Sequence, residues 1–282
     1  MLLREVSYAR PATVDEAVSL LSEHDGARAL AGGQTLVNVM KQRAASPDVL
    51  VDLAGLDELR TIAVSGATLE IGSMATLSAL IRSSEVEVTR PILAEVAATV
   101  ADVQVRNRGT LGGNICVNDP TNHFPPLLVA LGASMTIRSP AGERTVPADE
   151  FFVGVFETVV REGDLLTRIS IPAGGKGTGD GMAGVTLGAH GTYIANAAAS
   201  VVDGAWRVVL GCVSAVPVRA TAVEERLAGD VDESTVRAAV EGLGASLDPP
   251  SDAHGSGDFR RHLAEVSAAR AVLQAASRRK AA

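Results

Sequence analysis

Residues 31–36 read AGGQTL, and they join an apolar stretch at 27–30 to a segment with helical spacing at 36–41. The apolar stretch predicts a short buried strand, and the segment after the glycines predicts a short helix. Because glycine has no Cβ, backbone N–H groups here can turn toward an anion, and the helix adds its positive N-terminal end. The glycines match neither G-x-G-x-x-G nor G-x-x-x-x-G-K-S/T, so neither a Rossmann site nor a P-loop is indicated. The segment is therefore either a plain strand-to-helix turn or a binding site for a pyrophosphate.

A second glycine segment follows at residues 104–114, which read QVRNRGTLGGN, and polar residues extend it to residue 126. Its glycines are interleaved with Thr, Asn and Asp, so it can offer N–H donors, hydroxyls and amides to one ligand. We expect residues 105–126 to be loop-rich, and such a long loop is either functional or a surface Ω-loop. Asp119 either closes a turn before Pro120 or contacts the ligand. Cys116 either packs as a small hydrophobe or contacts the ligand.

The composition narrows the class of protein. The 282 residues suit two or three subdomains, and 46% of them are hydrophobic although only 3% are aromatic. The net charge of −8 argues against nucleic acid or an anionic membrane as the main partner. We expect no membrane span, because no stretch approaches roughly 20 apolar residues, and no signal peptide. The two separated cysteines indicate neither a disulfide framework nor a zinc site, so we expect a cytoplasmic protein.

Glycine and proline divide the chain into three predicted parts. Residues 1–57 predict an N-terminal α/β subdomain, with a helix at 12–24 and a second strand at 49–53. Residues 58–174 predict a middle α+β subdomain, with a hairpin at 61–72, helices at 76–82 and 88–100, and a strand at 165–172. The glycine-rich, aperiodic residues 174–181 are interpreted as the boundary. Residues 178–282 predict a C-terminal domain with strands near 185, 199–202 and 208–212 and helices at 220–228, 232–246 and 258–278.

The two glycine segments, taken in order, resemble the FAD-binding medium subunit of the molybdenum hydroxylases, the family of carbon monoxide dehydrogenase and xanthine dehydrogenase. Residues 210–212, 216–219 and 258–264 are similar to parts of that family's last domain, so the resemblance covers nearly the whole chain. It implies an α+β fold in which two subdomains of the vanillyl-alcohol-oxidase/PCMH type hold FAD between them. A C-terminal antiparallel sheet-and-helix domain would pack alongside.

The resemblance also implies an FAD site. Backbone amides of residues 32–36 would hold the pyrophosphate, and residues 110–114 would hold the other side of the dinucleotide. Val100 matches a position near the adenine, Leu166 matches the residue against the isoalloxazine, and Tyr193 matches a position near the flavin. The implied cofactor-binding residues are Leu30, Ala31, Gly32, Gly33, Gln34, Thr35, Leu36, Val100, Thr110, Gly112, Gly113, Asn114, Asp119, His123, Leu166 and Tyr193. No residue of this chain is expected to be catalytic or to bind a metal.

The sequence departs from the family at two places. His123 stands where the family commonly has Asp, whose carboxylate accepts hydrogen bonds from ribityl or ribose hydroxyls. A neutral imidazole accepts through one nitrogen and a protonated one through none, so we hypothesise that FAD binding weakens on acidification between about pH 8 and 5. Residues 184–192 lack the usual Lys or Arg and Asp. Because a nearby cation raises the reduction potential of a flavin, this loss indicates an impaired or retuned site and puts the usual acceptor in doubt.

The resemblance predicts an oxidoreductase subunit. It would take electrons from the iron–sulfur clusters of a small partner subunit and pass them to an external acceptor. A large subunit with a molybdopterin cofactor would oxidise the substrate. Quinone, oxygen and NAD stay open as acceptors. Two alternatives stay open as well: a self-contained flavin reductase, which would need its own proton donor, and a non-catalytic flavin-binding assembly module.

Overall fold

The computed structural model describes residues 3–188, 192–228 and 231–279. Its first sheet is parallel and has strands β1 (Ser7–Ala9), β2 (Ala27–Leu30) and β3 (Val49–Asp52) in the order β1-β3-β2. Helices α1 (Val14–Glu23) and α2 (Leu36–Lys41) lie between the strands in sequence. Thr13 begins α1 by accepting a hydrogen bond from the Glu16 N–H, and buried Ala17, Val18 and Leu21 pack its apolar face into the core. The helices and strands predicted in this part of the sequence are confirmed.

The middle part of the chain is built on an antiparallel sheet. Its strands are β4 (Ile62–Ser65), β5 (Thr68–Gly72), β6 (Ser134–Ser139), β7 (Gly142–Pro147) and, after a small hairpin of β8 (Phe152–Gly154) and β9 (Glu157–Thr158), β10 (Leu165–Pro172). The sheet order is β4-β5-β10-β6-β7, so the predicted hairpin lies at one edge. Its helices are α3 (Leu77–Arg82), α4 (Ser84–Thr89), α5 (Ile92–Thr99), α6 (Val103–Arg108), α7 (Leu111–Val117), α8 (Phe124–Ala130) and α9 (Ala148–Phe151).

Residues 105–126 are largely helical, so the expectation of a loop-rich segment was wrong. Helices α6, α7 and the start of α8 occupy most of this stretch. Side-chain caps define where the first two begin: Asp102 Oδ1 accepts from the Val105 N–H at 2.8 Å, and Thr110 Oγ1 accepts from the Gly113 N–H at 3.0 Å. Helices of six or seven residues contain too few apolar repeats for a periodic pattern to reveal them.

The C-terminal part is an antiparallel sheet packed against a long helix. Its strands β11 (Gly179–Thr186), β12 (Tyr193–Val202), β13 (Ala205–Gly211) and β14 (Val218–Arg219) follow in chain order across the sheet, and its helices are α10 (Thr221–Arg226), α11 (Glu233–Val240) and α12 (Gly257–Ser277). Strand β11 begins inside the glycine-rich residues 174–181, so only the first half of that segment is the aperiodic boundary that the sequence predicts. A Cβ at Gly179 or Gly181 would overlap backbone carbonyls of α12, so glycine lets this helix lie directly on the strand. Although α12 has 21 residues, no helix in the described part of the chain is long and apolar enough to cross a membrane.

A buried ion pair joins the C-terminal sheet to the middle part of the chain. Arg90, which is 1% exposed, donates through Nη1 to both carboxylate oxygens of Asp180, at 2.8 and 2.9 Å. Its Nε donates to the Pro172 carbonyl at 2.7 Å, and Ser200 Oγ donates to Asp180 at 2.7 Å. The expected α+β architecture with a C-terminal antiparallel sheet-and-helix part is therefore confirmed.

Candidate functional site

A cavity of about 750 Å³ opens between residues of the first sheet and residues of the middle part of the chain. Its volume falls within the roughly 300–1,000 Å³ that is typical of small-molecule and cofactor sites. Both glycine segments contribute to its wall, so the fold brings together the two stretches that the sequence singles out. The expected site residues that line the cavity are Ala31, Gly32, Gly33, Gln34, Thr35, Leu36, Val100, Thr110, Gly112, Gly113, Asn114 and Leu166.

The first glycine segment offers unpaired backbone donors. Gly33 has a φ of +73°, a left-handed conformation that favours glycine. In the described part of the chain, no hydrogen bond is made by the N–H groups of residues 32–36. A run of free amides where a strand turns into a helix suits an anion such as a phosphate. The arrangement favours a binding site over a plain turn.

The second glycine segment is fixed by backbone contacts to residues 73–77, just before and at the start of α3. The Leu111 N–H donates to the Ala75 carbonyl at 2.9 Å, and the Gly112 N–H donates to the Ser73 carbonyl at 3.0 Å. A Cβ at Gly112 would lie 2.6 Å from that Ser73 carbonyl oxygen, so the approach requires glycine. The first turn of α7 is thereby held in the cavity wall.

Two polar atoms of the wall, Ser73 Oγ and Asn114 Oδ1, are buried and have no hydrogen-bond partner among the described residues. A buried polar atom without a partner costs about 1–3 kcal/mol, so a ligand with hydroxyl groups would stabilise both. The Asn114 carbonyl accepts from Asn122 Nδ2 at 2.8 Å, which fixes this part of the wall. The cavity thus combines donors for a phosphate with partners for hydroxyls, as a dinucleotide requires.

One side of the wall comes from a region that sequence reasoning missed. Residues 156–158 and 160–166 line the cavity, and only Leu166 among them was expected. Phe156 is 63% exposed at a φ of +57°, and its N–H donates to the Asn118 carbonyl at 3.1 Å. Buried Asn118 also donates through Nδ2 to the carbonyls of Gly154 and Glu157, at 2.6 and 3.1 Å. Neither periodicity nor a glycine motif marks this stretch, and a turn at residues 163–164 is its main cue.

Four expected site residues, Leu30, Asp119, His123 and Tyr193, do not line the cavity as the described residues define it. Leu30 ends β2 just before the glycines. Asp119 Oδ1 accepts from the N–H and the hydroxyl of Thr121, at 2.9 and 2.7 Å, so the turn is favoured of its two interpretations. The rings of His123 and Tyr193 contact each other, with centroids 4.4 Å apart. Direct cofactor contacts of these four side chains stay predictions.

The two departures from the family pattern also receive a structural account. Burial lowers the pKa of His123 to about 4, so its imidazole is neutral between pH 5 and 8. The hypothesised loss of FAD binding in that range therefore lacks its titrating group, and we now expect a flat profile. Of the uncharged residues 184–192, residues 189–191 lie outside the described residues, and the described remainder does not line the cavity.

Cys116 lies in the cavity wall. Burial raises the pKa of its thiol to about 12, so the thiol stays protonated and acts as a small apolar group. Among the described residues, no cluster of three or more His, Cys, Asp or Glu side chains is placed to hold a metal ion. The wall therefore offers hydrogen-bonding and apolar contacts to an organic ligand.

Known families match nearly all of this chain. Residues 4–174 match the FAD binding domain in molybdopterin dehydrogenase, and residues 187–275 match the CO dehydrogenase flavoprotein C-terminal domain. The chain is 35% identical to the carbon monoxide dehydrogenase medium chain of Hydrogenophaga pseudoflava, over 99% of both chains. It is 31% identical to the nicotine 6-hydroxylase medium subunit of Paenarthrobacter nicotinovorans, over 99% of this chain and 100% of the relative.

Solved structures share the fold along the whole chain. Carbon monoxide dehydrogenase from Hydrogenophaga pseudoflava, in a form that lacks the Mo-pyranopterin moiety, superposes with a TM-score of 0.94 at 36% identity, over 99% of both chains. Quinoline 2-oxidoreductase from Pseudomonas putida 86 gives a TM-score of 0.93 at 35% identity, over 98% of this chain and 99% of the other. The free amides of residues 32–36 and the unpartnered atoms of Ser73 and Asn114 fit the pyrophosphate and hydroxyls of FAD. The chain therefore belongs to the FAD-binding medium subunits of the molybdenum hydroxylases, of carbon monoxide dehydrogenase and xanthine dehydrogenase type, and it is an oxidoreductase subunit with FAD as its cofactor.

Proposed function

We propose that this chain is the electron-transfer subunit of a molybdenum hydroxylase. It takes electrons from the iron–sulfur clusters of a small partner subunit and passes them to an external acceptor. A large subunit with a molybdopterin cofactor oxidises the substrate. The observation that carries the proposal is the cavity wall, in which the free amides of residues 32–36 and the unpartnered atoms of Ser73 and Asn114 line one space.

In this proposal, the chain's own residues bind and orient the cofactor. The N–H groups of residues 32–36 donate to the pyrophosphate, and Ser73 Oγ and Asn114 Oδ1 pair with hydroxyls. Val100 packs near the adenine and Leu166 against the isoalloxazine, where apolar side chains exclude water. When bound, FAD supplies redox chemistry that no amino-acid side chain of this wall offers.

The iron–sulfur clusters of this proposal belong to another chain. A cluster needs about four cysteine thiolates, and this sequence has two cysteines in all. Burial also raises the pKa of Cys116 and Cys212 to about 12, which disfavours the thiolate form that binds iron. A separate small subunit must therefore supply the clusters.

The substrate is chosen outside this chain in the same proposal. Relatives at 35%, 31% and 31% identity are named for carbon monoxide dehydrogenase, nicotine 6-hydroxylase and glyceraldehyde dehydrogenase. Medium subunits of similar sequence thus serve enzymes named for very different substrates, which supports substrate binding on the large subunit. We place the assembly in the cytoplasm, where unpaired cysteines stay reduced. The proposed subdomain limits are 1–57, 58–174 and 178–282.

The test is to purify the tagged full-length chain from its native host and to measure flavin, iron and molybdenum in each fraction. We expect all three to co-elute in a fixed ratio with two further subunits. The complex is then reduced chemically without oxygen and mixed with NAD or a water-soluble quinone. The iron–sulfur absorbance should recover with one of these acceptors, which also identifies the acceptor class.

The matched control is the same complex carrying Gly32→Ala, which we expect to lack FAD for the steric reason given in the Discussion. Its clusters should be reduced normally but should not be reoxidised by either acceptor. Flavin that elutes without iron and molybdenum contradicts the proposal. Direct reduction of the isolated chain by a nicotinamide nucleotide would favour the self-contained flavin reductase instead.

A further inference from the structure

An aromatic contact links the C-terminal sheet to the segment that follows α7. Tyr193 is the first residue of β12, and His123 immediately precedes α8. Their ring centroids lie 4.4 Å apart with the planes tilted by 48°, which is a favourable geometry for two rings. His123 is 7% exposed, so this contact is made in the interior.

Both rings are connected to the cavity wall by a neighbouring residue. On one side, Asn122 adjoins His123, lines the cavity and donates to the Asn114 carbonyl at 2.8 Å. On the other side, Tyr193 forms a hydrogen bond with the side chain of Thr99, which adjoins Val100 in the wall. The aromatic pair therefore supports the wall at two separate points without lining the cavity.

The surroundings of the pair are almost free of charge. Burial alone accounts for the lowered pKa of His123, and its Nε2 has no partner among the described residues. Burial raises the pKa of Tyr193, and neighbouring Cys212 raises it further. The charged groups that act on Cys212 are Arg260 and Asp119, and Arg260 is itself paired with Asp252 at 2.6 Å. An uncharged ring, rather than an ion or a polar contact, is what His123 presents to Tyr193.

We propose that His123 and Tyr193 are positioning residues for FAD, and that their ring contact couples the C-terminal sheet to cofactor affinity. By holding Asn122 against Asn114 on one side and Thr99 beside Val100 on the other, the pair fixes the spacing of the wall. This inference rests on the FAD site of the proposed function and not on the electron-transfer role.

The test measures the dissociation constant of FAD for the purified full-length chain by fluorescence titration at pH 7, with the Tm of the flavin-free chain as a second readout. We expect His123→Ala and Tyr193→Ala each to weaken FAD binding about tenfold, since an aromatic pair contributes about 0.5–1.5 kcal/mol. The double variant should be no weaker than about tenfold, because either change alone removes the contact. His123→Phe keeps the ring and should bind within about twofold of the native chain.

Two further variants separate positioning from other roles. His123→Asp restores the acceptor that related chains carry, and it should bind FAD weakly because a carboxylate cannot pack against Tyr193 in this apolar site. Arg278→Ala breaks the 2.8 Å ion pair with Glu95, which also joins the C-terminal part to the middle part of the chain. It should leave FAD affinity unchanged.

Four results would overturn the inference. His123→Phe as weak as His123→Ala would mean that an imidazole nitrogen contacts FAD. Near-native binding by His123→Asp would point to the same direct contact. A double variant weakened about a hundredfold would mean that the two rings act independently. Equal weakening by Arg278→Ala would mean that any loosening of the C-terminal part has this effect. None of these readouts depends on partner subunits or on electron flow, so they separate this inference from the proposed electron transfer.

Discussion

The first glycine segment, residues 31–36, and the second, residues 104–114, line one cavity but differ in what their glycines do. In the first, Gly33 takes a left-handed φ of +73°, and the amides around it stay free for a ligand. In the second, Gly112 lies within α7, and its missing side chain lets that helix approach the Ser73 backbone. One segment therefore supplies donors, and the other supplies shape.

Gly32 is the point where the two segments meet. A Cβ at this position would overlap the Arg108 carbonyl oxygen and would lie 3.0 Å from the Gly109 Cα. The donors of the first segment are therefore placed by contact with the second. The comparison teaches that a glycine can be required by another strand of backbone as strictly as by its own dihedral angles.

The largest expected effect comes from Gly32→Ala. Because the Arg108 carbonyl belongs to the backbone, neither segment can adjust alone, and we expect FAD binding to weaken at least about a hundredfold, or about 3 kcal/mol. Gly33→Ala is the matched control, since its Cβ would only approach the Val37 side chain at 3.3 Å. The left-handed strain should cost about 1–2 kcal/mol. Equal losses in a FAD titration of the two variants would remove the distinction drawn at Gly32.

The second prediction concerns acid, to which the extension of the second segment should respond. His123 has a pKa of about 4 in the folded chain, against about 6.5 when unfolded. The unfolded chain therefore takes up a proton between about pH 6.5 and 4 that the folded chain refuses, so stability is lost as pH falls through this window. The loss should be roughly 3 kcal/mol.

The measurement is urea unfolding of the native chain and of His123→Phe at pH 7 and pH 4.5. The other histidines are common to both chains, so the difference between the two losses isolates His123. We expect the native chain to lose more stability on acidification than His123→Phe. The same loss in both chains would show that His123 is not the group that titrates.

The smallest effects should separate the two glycines of α7. Gly112→Ala places a Cβ 2.6 Å from a backbone oxygen, whereas Gly113→Ala places one 2.8 Å from the Thr110 hydroxyl, which can move. We expect Gly112→Ala to reduce the free energy of unfolding by about 2 kcal/mol. Gly113→Ala should cost less than about 1 kcal/mol, because better helix propensity offsets part of the strain. Urea unfolding of the flavin-free chains measures both, and a reversed order would contradict the packing role of Gly112.

These outcomes bear on how much of the site could be predicted. The strand, glycine turn and helix around residues 27–41 were predictable, because apolar runs and glycines mark them directly. The helices within residues 103–117 were not, since side-chain caps on Asp102 and Thr110 define them rather than a repeating apolar pattern. Their glycines still identified the second segment correctly as part of the wall.

The wall contributed by residues 156–166 shows a different limit. Its placement depends on Asn118, which holds the β8–β9 hairpin from a distant point of the chain. No local pattern announces such a long-range contact. Position in the sequence alone likewise could not show that His123 and Tyr193 lie against each other outside the cavity lining.

The Arg90–Asp180 ion pair has a consequence for how the chain comes apart. Separating the C-terminal sheet from the middle part would leave both charges buried without a partner, and breaking such a pair on one side costs about 3–5 kcal/mol. Ser200 and the Pro172 carbonyl would lose their partners at the same time. A partly opened state is therefore scarcely populated, and the chain should melt in one cooperative transition that carries the FAD site and the C-terminal sheet together.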